Sequence, residues 1–139
     1  MTYQQLLRNY REKHGKLVEP RQGFDSLVPS LHLAYSMGRK RGFTDLGTYA
    51  NKPGDHGYWP AYAFDLGRYN RFYNKGWNYL VARKLANLYW KERNALGINY
   101  VILGKKIISR AKPYWHPLGT GDTSHMWHLH VSGVHDDDL

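Results

Sequence analysis

The sequence predicts an α+β domain, a small antiparallel sheet with flanking helices. Three observations lead there. Two stretches with helical periodicity lie in the N-terminal part of the chain and a third in its middle. Stretches that alternate apolar and polar residues follow them. These strands are not regularly separated by helices, as a doubly wound parallel sheet requires. The 139 residues suit one domain, with residues 1–50 as its N-terminal helical part and 134–139 as an acidic tail.

The elements follow in order. Residues 2–13 predict a helix with Leu6, Leu7 and Tyr10 on one side and Thr2 as N-cap. "GKLVEPRQG" breaks it with Gly15, Pro20 and Gly23. "SLHLAYSMGRKRGF", from Ser30, predicts a second helix with Leu31, Ala34, Tyr35 and Met37 on its apolar face and Gly42 as its end. Thr44 to Pro60, dense in Gly, Pro, Asp and Asn, reads as loop. "AYAFDLG" then alternates as a strand does, with Tyr62, Phe64 and Leu66 on one face and Asp65 on the other.

Trp77 to Gly97 is the clearest helix. Val81, Leu85, Leu88, Tyr89 and Ala95 make its stripe, and Gly97 is its stop. "INYVILGKKIIS" reads as a hairpin, Ile98–Leu103 and Lys106–Ser109 about a turn at Gly104-Lys105. "AKPYWHPLGTGDTSH" reads as a second long loop and "MWHLHVSG" as a further strand.

Composition narrows the function. Cysteine is absent, which excludes disulfides, thiolate nucleophiles and cysteine-type zinc sites. The opening "MTYQQLLRNYREKHGK" is too polar for a signal peptide, and no apolar run approaches membrane length. The expectation is a protein made in the cytoplasm. The net charge of +9 suggests a polyanionic partner, either nucleic acid or an acidic cell-wall polymer.

The chemistry lies in the histidines. Alternation along 127–132 puts Trp127, Leu129 and Val131 on one face and His128, His130 and Ser132 on the other. If that strand neighbours the Asp65 strand, Asp65 and the two imidazoles share a pocket floor. His56 lies in the loop that feeds the Asp65 strand. Two histidines and a carboxylate from separate segments can supply three zinc ligands and leave a position open for water. The other histidine of the pair can then serve as acid/base or stabilise an oxyanion.

These residues resemble the zinc metallopeptidases of the D-alanyl-D-alanine carboxypeptidase type, which share a fold with the hedgehog signalling domain. The resemblance runs from about Gly54 to Gly133 and is nearest to actinobacterial and phage cell-wall peptidase domains. It rests on "ALGINYVILGKKIIS", "PYWHPLGTGDTSH" and "HMWHLHVS". It implies a hedgehog-like fold, with His56, Asp65 and His130 as Zn2+ ligands, His128 as supporting catalytic histidine and His125 lining the site. Relatives use an upstream Arg to steady substrate, which makes Arg39 or Arg41 a candidate. The chain departs from the pattern twice: "GYWPAYAF" lengthens the His–Asp gap, and Trp127 stands where relatives often carry Asp.

The resemblance implies hydrolysis of peptidoglycan peptides, by endo- or carboxypeptidase action, as in a phage endolysin that a holin releases to the cell wall. The basic surface would favour anionic wall polymers. Two alternatives stand beside this reading. One is a metal-dependent nucleic-acid enzyme, although no basic–aromatic platform or paired-carboxylate two-metal site is present. The other is a non-catalytic zinc-binding phage structural protein. Tyr58 and Trp59 either wall a substrate groove or hold their loop. His116 is either a cleft residue or a plain loop histidine.

Overall fold

A computed structural model describes residues 1–67, 77–119 and 128–135. Among them lie four helices and one six-stranded antiparallel sheet, the mixed α and β class that the sequence predicts.

Helix α1 spans Tyr3–His14. Thr2 caps it as expected: its hydroxyl accepts from the Gln5 amide at 3.2 Å, and the Gln5 side chain accepts from the Thr2 amide at 2.9 Å. Leu6 and Tyr10 are buried and Leu7 half-buried. Helix α2 spans His32–Lys40, two residues later than predicted, because Pro29–Leu31 forms a separate 3₁₀ turn. Every residue from Leu33 to Gly38 is buried. The predicted apolar face is therefore too modest, since α2 lies between α1 and the sheet.

The 44–60 segment is not all loop. Thr44–Gly47 forms β1, an edge strand antiparallel to β2 (Ala63–Gly67). Tertiary bonds override its turn-like composition: the Asp45 carboxylate accepts from the Arg21 amide at 2.8 Å, the Tyr35 hydroxyl at 2.7 Å and the Gly47 amide at 2.7 Å.

The predicted 77–97 helix is two pieces. Helix α3 spans Tyr79–Lys91, with Asn78 capping the Val81 amide, and α4 spans Arg93–Leu96. The break falls at Glu92, whose buried carboxylate receives the terminal ammonium of Met1 at 3.1 Å. Gly97 ends the run in the left-handed conformation, φ 67°, as predicted.

The hairpin is as expected, β3 (Ile98–Leu103) and β4 (Lys106–Ser109). The described part of the following loop contains an unexpected element. His116–Pro117 forms a two-residue strand, β5, against β4. Strand β6 is Leu129–Gly133; Met126 and Trp127 lie outside the described residues.

The sheet order is β1-β2-β6-β3-β4-β5. Strand β6 thus lies between β2 and β3, although it follows both in the chain. Residues directly opposite in an antiparallel pair share a face. One face carries Phe64, Leu66, Val101, Leu129 and Val131, all fully buried, and α2 and α3 cover it. Phe64 meets the rings of Tyr35 (5.7 Å) and Tyr89 (6.2 Å) edge-on. Helix α2 comes close because residue 38 is Gly: a Cβ there would strike Leu66 Cδ1 and approach Tyr89 Oη to 2.7 Å. The other face carries Asp65, His130, Ser132, Tyr100 and Ile102.

Candidate metal centre

Strand register brings the predicted carboxylate and histidine together. Asp65 and His130 are directly paired across β2 and β6, and His130 Nδ1 lies 2.8 Å from Asp65 Oδ1. His56 arrives from the 3₁₀ turn Asp55–Gly57, its Nε2 3.1 Å from Asp65 Oδ2 and 3.3 Å from His130 Nδ1. One donor atom from each of the three lies within 4.8 Å of the others. His56 and His130 are buried and Asp65 nearly so.

The two imidazoles are aimed by their far nitrogens. His56 Nδ1 lies 2.5 Å from the Thr48 carbonyl, and His130 Nε2 lies 2.8 Å from the Ser132 hydroxyl. With those outer nitrogens donating, the inner lone pairs of both rings converge with the carboxylate oxygens. Three acceptors facing one another repel unless a cation lies among them. A tetrahedral site with bonds of about 2.0–2.1 Å sets its donor atoms roughly 3.3 Å apart, and the two nitrogens have that spacing. The donor set could therefore hold a metal ion, with the outer bonds in the orienting role such ligands usually have.

Electrostatics fit the same reading. Burial pushes the Asp65 carboxyl up, but His130 and His56 outweigh it and hold the group far below the usual carboxylate range. Burial pulls His56 down, yet the bond and charge of Asp65 win and raise it above its ordinary value. The same two interactions favour a proton on His56 when no cation is bound.

His128 stands beside the cluster, Nε2 3.7 Å from Asp65 Oδ1. Burial lowers its pKa, only partly countered by Asp65, which favours the neutral ring. His125 lies outside the described residues. The structure does not bring Arg39 to the cluster. Its Nη1 donates to the Tyr35 hydroxyl at 2.6 Å and its Nε to the Phe43 carbonyl at 3.1 Å. Tyr35 in turn bonds Asp45, which pairs with Leu66 on the helix-covered face. Arg41 donates to the Met37 carbonyl at 3.2 Å.

Several supporting residues escape a reading of the sequence. Tyr100 stacks on His130, with centroids 5.6 Å apart and planes at 19°, and its hydroxyl donates to Asp55 at 3.2 Å. His135, grouped by the sequence with the tail, lies 2.7 Å from the same carboxylate and stacks on Tyr62 at 3.9 Å. Asp55 thus ties the His56 turn to β3 and to the end of β6. The only signal was adjacency: Asp55 precedes His56, and Tyr100 lies on a predicted strand. His116 pairs with Ile107, which pairs with Ile102, so it stands on the cluster's face of the sheet, two strands beyond β3. Tyr58 and Trp59 are about half exposed, at 51% and 57%, and each also packs edge-on within its own region, Tyr58 on Tyr62 and Trp59 on Tyr49.

Comparison of the chain with protein-family models, with curated proteins and with solved structures finds no match.

Proposed function

We propose that the chain is a zinc-dependent peptidase that cleaves stem or cross-bridge peptides of bacterial peptidoglycan, in the manner of a phage endolysin or related wall hydrolase. The observation that carries this reading is the His56–Asp65–His130 donor set, assembled from three segments with both imidazoles oriented from behind. A metal ion held there supplies Lewis acidity, which polarises an amide carbonyl and acidifies water.

The chain's own residues supply the rest. Asp65 stays ionised and balances the positive charge that gathers at the site. His128, kept neutral by burial, is placed to accept a proton at Nε2 and pass it to the departing amine. Trp59 and Tyr58 offer exposed aromatic surface for the peptide. The net charge of +9 favours residence on an anionic wall. No helix among the described residues is long and apolar enough to cross a membrane.

The test combines metal content with peptide release. Wild-type protein and His130→Ala are analysed for bound metal by mass spectrometry and then incubated with purified peptidoglycan. The expected result is about one zinc per chain and new free amines from the wild type, and neither from the variant. Wild-type protein without metal overturns the reading, and so does metal without amine release.

A further inference from the structure

A second feature lies far from the metal centre, on the helical side of the molecule. A cavity of about 330 Å³ opens between α1, α2 and α3, at the lower end of the range for small-molecule sites, roughly 300–1,000 Å³. Leu6, Tyr10, Met37 and Leu88 give it an apolar lining, the first three of them buried. Lys13, His14, Lys40 and Arg41 also line it. No acidic residue among the described ones does.

The cations are crowded rather than scattered. His14 is depressed by loss of hydration first, then by the charges of Lys13, Lys40 and Arg41. Lys13 and Lys40 have no ion-pair partner among the described residues. Basic residues at helix C-termini are ordinary, since they offset the helix dipole, and both α1 and α2 end here. But each helix end carries only about half a negative charge. The two full cations of Lys13 and Lys40 against two such ends leave a net positive field over an apolar floor.

We propose that this cavity is a binding site for a single-chain anionic amphiphile, an alkyl carboxylate taken up as the free monomer. Its tail lies along Leu6, Tyr10 and Met37, and its carboxylate meets Lys13 and Lys40 with Arg41 beside them. Apolar burial supplies most of the affinity, and the cations select the charged head over a neutral one. The site is independent of the proposed peptidase activity.

The experiment titrates the full-length chain with dodecanoate below its micellar concentration, by calorimetry and by amide-shift mapping. Saturable binding is expected, with shifts at Tyr10, Met37 and Leu88. Dodecanol should bind roughly tenfold more weakly. The double variant Lys13→Ser/Lys40→Ser removes two exposed side chains and should fold normally by circular dichroism. It should lose about tenfold in dodecanoate affinity, with dodecanol affinity and zinc content unchanged. Absence of saturable binding, equal affinity for dodecanol, or shifts confined to other surfaces would overturn the proposal. Binding to anionic phospholipid vesicles but not to the monomer would overturn it in favour of a membrane surface.

Discussion

Asp65 and His130, sixty-five positions apart in the chain, face each other across two neighbouring strands and share a 2.8 Å contact that His56 closes into a triangle. The behaviour expected of the metal site depends on that pairing, because its three donors come from separate segments of the chain.

Removing one corner should empty the site. Asp65→Asn keeps the shape but loses the charge that balances the cation. We expect it to lower zinc affinity by at least about 100-fold, with peptide release falling in parallel. Chelator competition measures the first and amine release the second. Unchanged affinity would mean that the ion, if bound, lies elsewhere.

The orienting bonds should matter nearly as much. Ser132→Ala removes the partner of His130 Nε2 and frees the ring to turn or change tautomer. Zinc affinity is expected to fall by about 10–100-fold. Thermal stability of the metal-free protein should change by only about 1 kcal/mol. A large stability loss with normal affinity would show that the hydroxyl serves packing instead.

Zinc uptake should weaken in acid. His56 is raised above its ordinary value, so in the metal-free protein it holds its proton at higher pH than a free imidazole. Metal must displace that proton. Affinity should begin to fall above pH 6.5 and continue falling as pH drops through the histidine range. Calorimetry in buffers of different ionisation enthalpy should detect proton release on binding. A pH-independent affinity would contradict the assignment of His56.

Arg39 should act on stability, not on catalysis. It bonds Tyr35 and the Phe43 carbonyl on the far side of the sheet from the donor set. Arg39→Met should cost about 1–3 kcal/mol of unfolding free energy and leave peptide release per folded molecule unchanged. A selective loss of turnover would instead support a role in steadying substrate.

Alkali should unfold the protein through Tyr89. Its ring is fully buried, its hydroxyl donates to the Ala34 carbonyl at 2.5 Å, and burial raises its pKa far above 10. The folded chain therefore holds this proton where the unfolded chain has released it. The associated stability is complete below pH 10 and is lost as pH climbs beyond it. Tyr89→Phe should flatten the alkaline limb of a denaturation series. At neutral pH it should cost about 1 kcal/mol for the lost bond.

The sequence allowed the donor set to be read, because strand alternation is local. The patterns around Asp65 and His130 assign each residue to a face without knowledge of the partner strand. The N-cap at Thr2 and the Gly97 stop were legible for the same reason. What escaped was decided at a distance. Strand β1 is held by Asp45 contacts to Arg21 and Tyr35, which no window of neighbouring residues contains. The break at Glu92 coincides with its pairing to Met1, ninety-one positions away. Arg39 entered as a substrate-steadying candidate through the resemblance, and only the structure shows its guanidinium bonded to Tyr35 and Phe43. Tyr100, Asp55 and His135 join three segments whose meeting no periodicity announces.

Strand order has a consequence for the growing chain. Strands β1 and β2 leave the ribosome early, and the β3–β4–β5 block follows as a unit of its own, yet the two meet only through β6. Until the codons for Leu129–Gly133 have been translated, a nascent polypeptide has two unjoined half-sheets, with Asp65 and His56 awaiting a partner. Such a chain pays the entropy of long-range closure in one late step. A ribosome stalled before position 130 would display a precursor that lacks the third corner of the candidate site, and the completed protein would acquire its sheet and that donor set together.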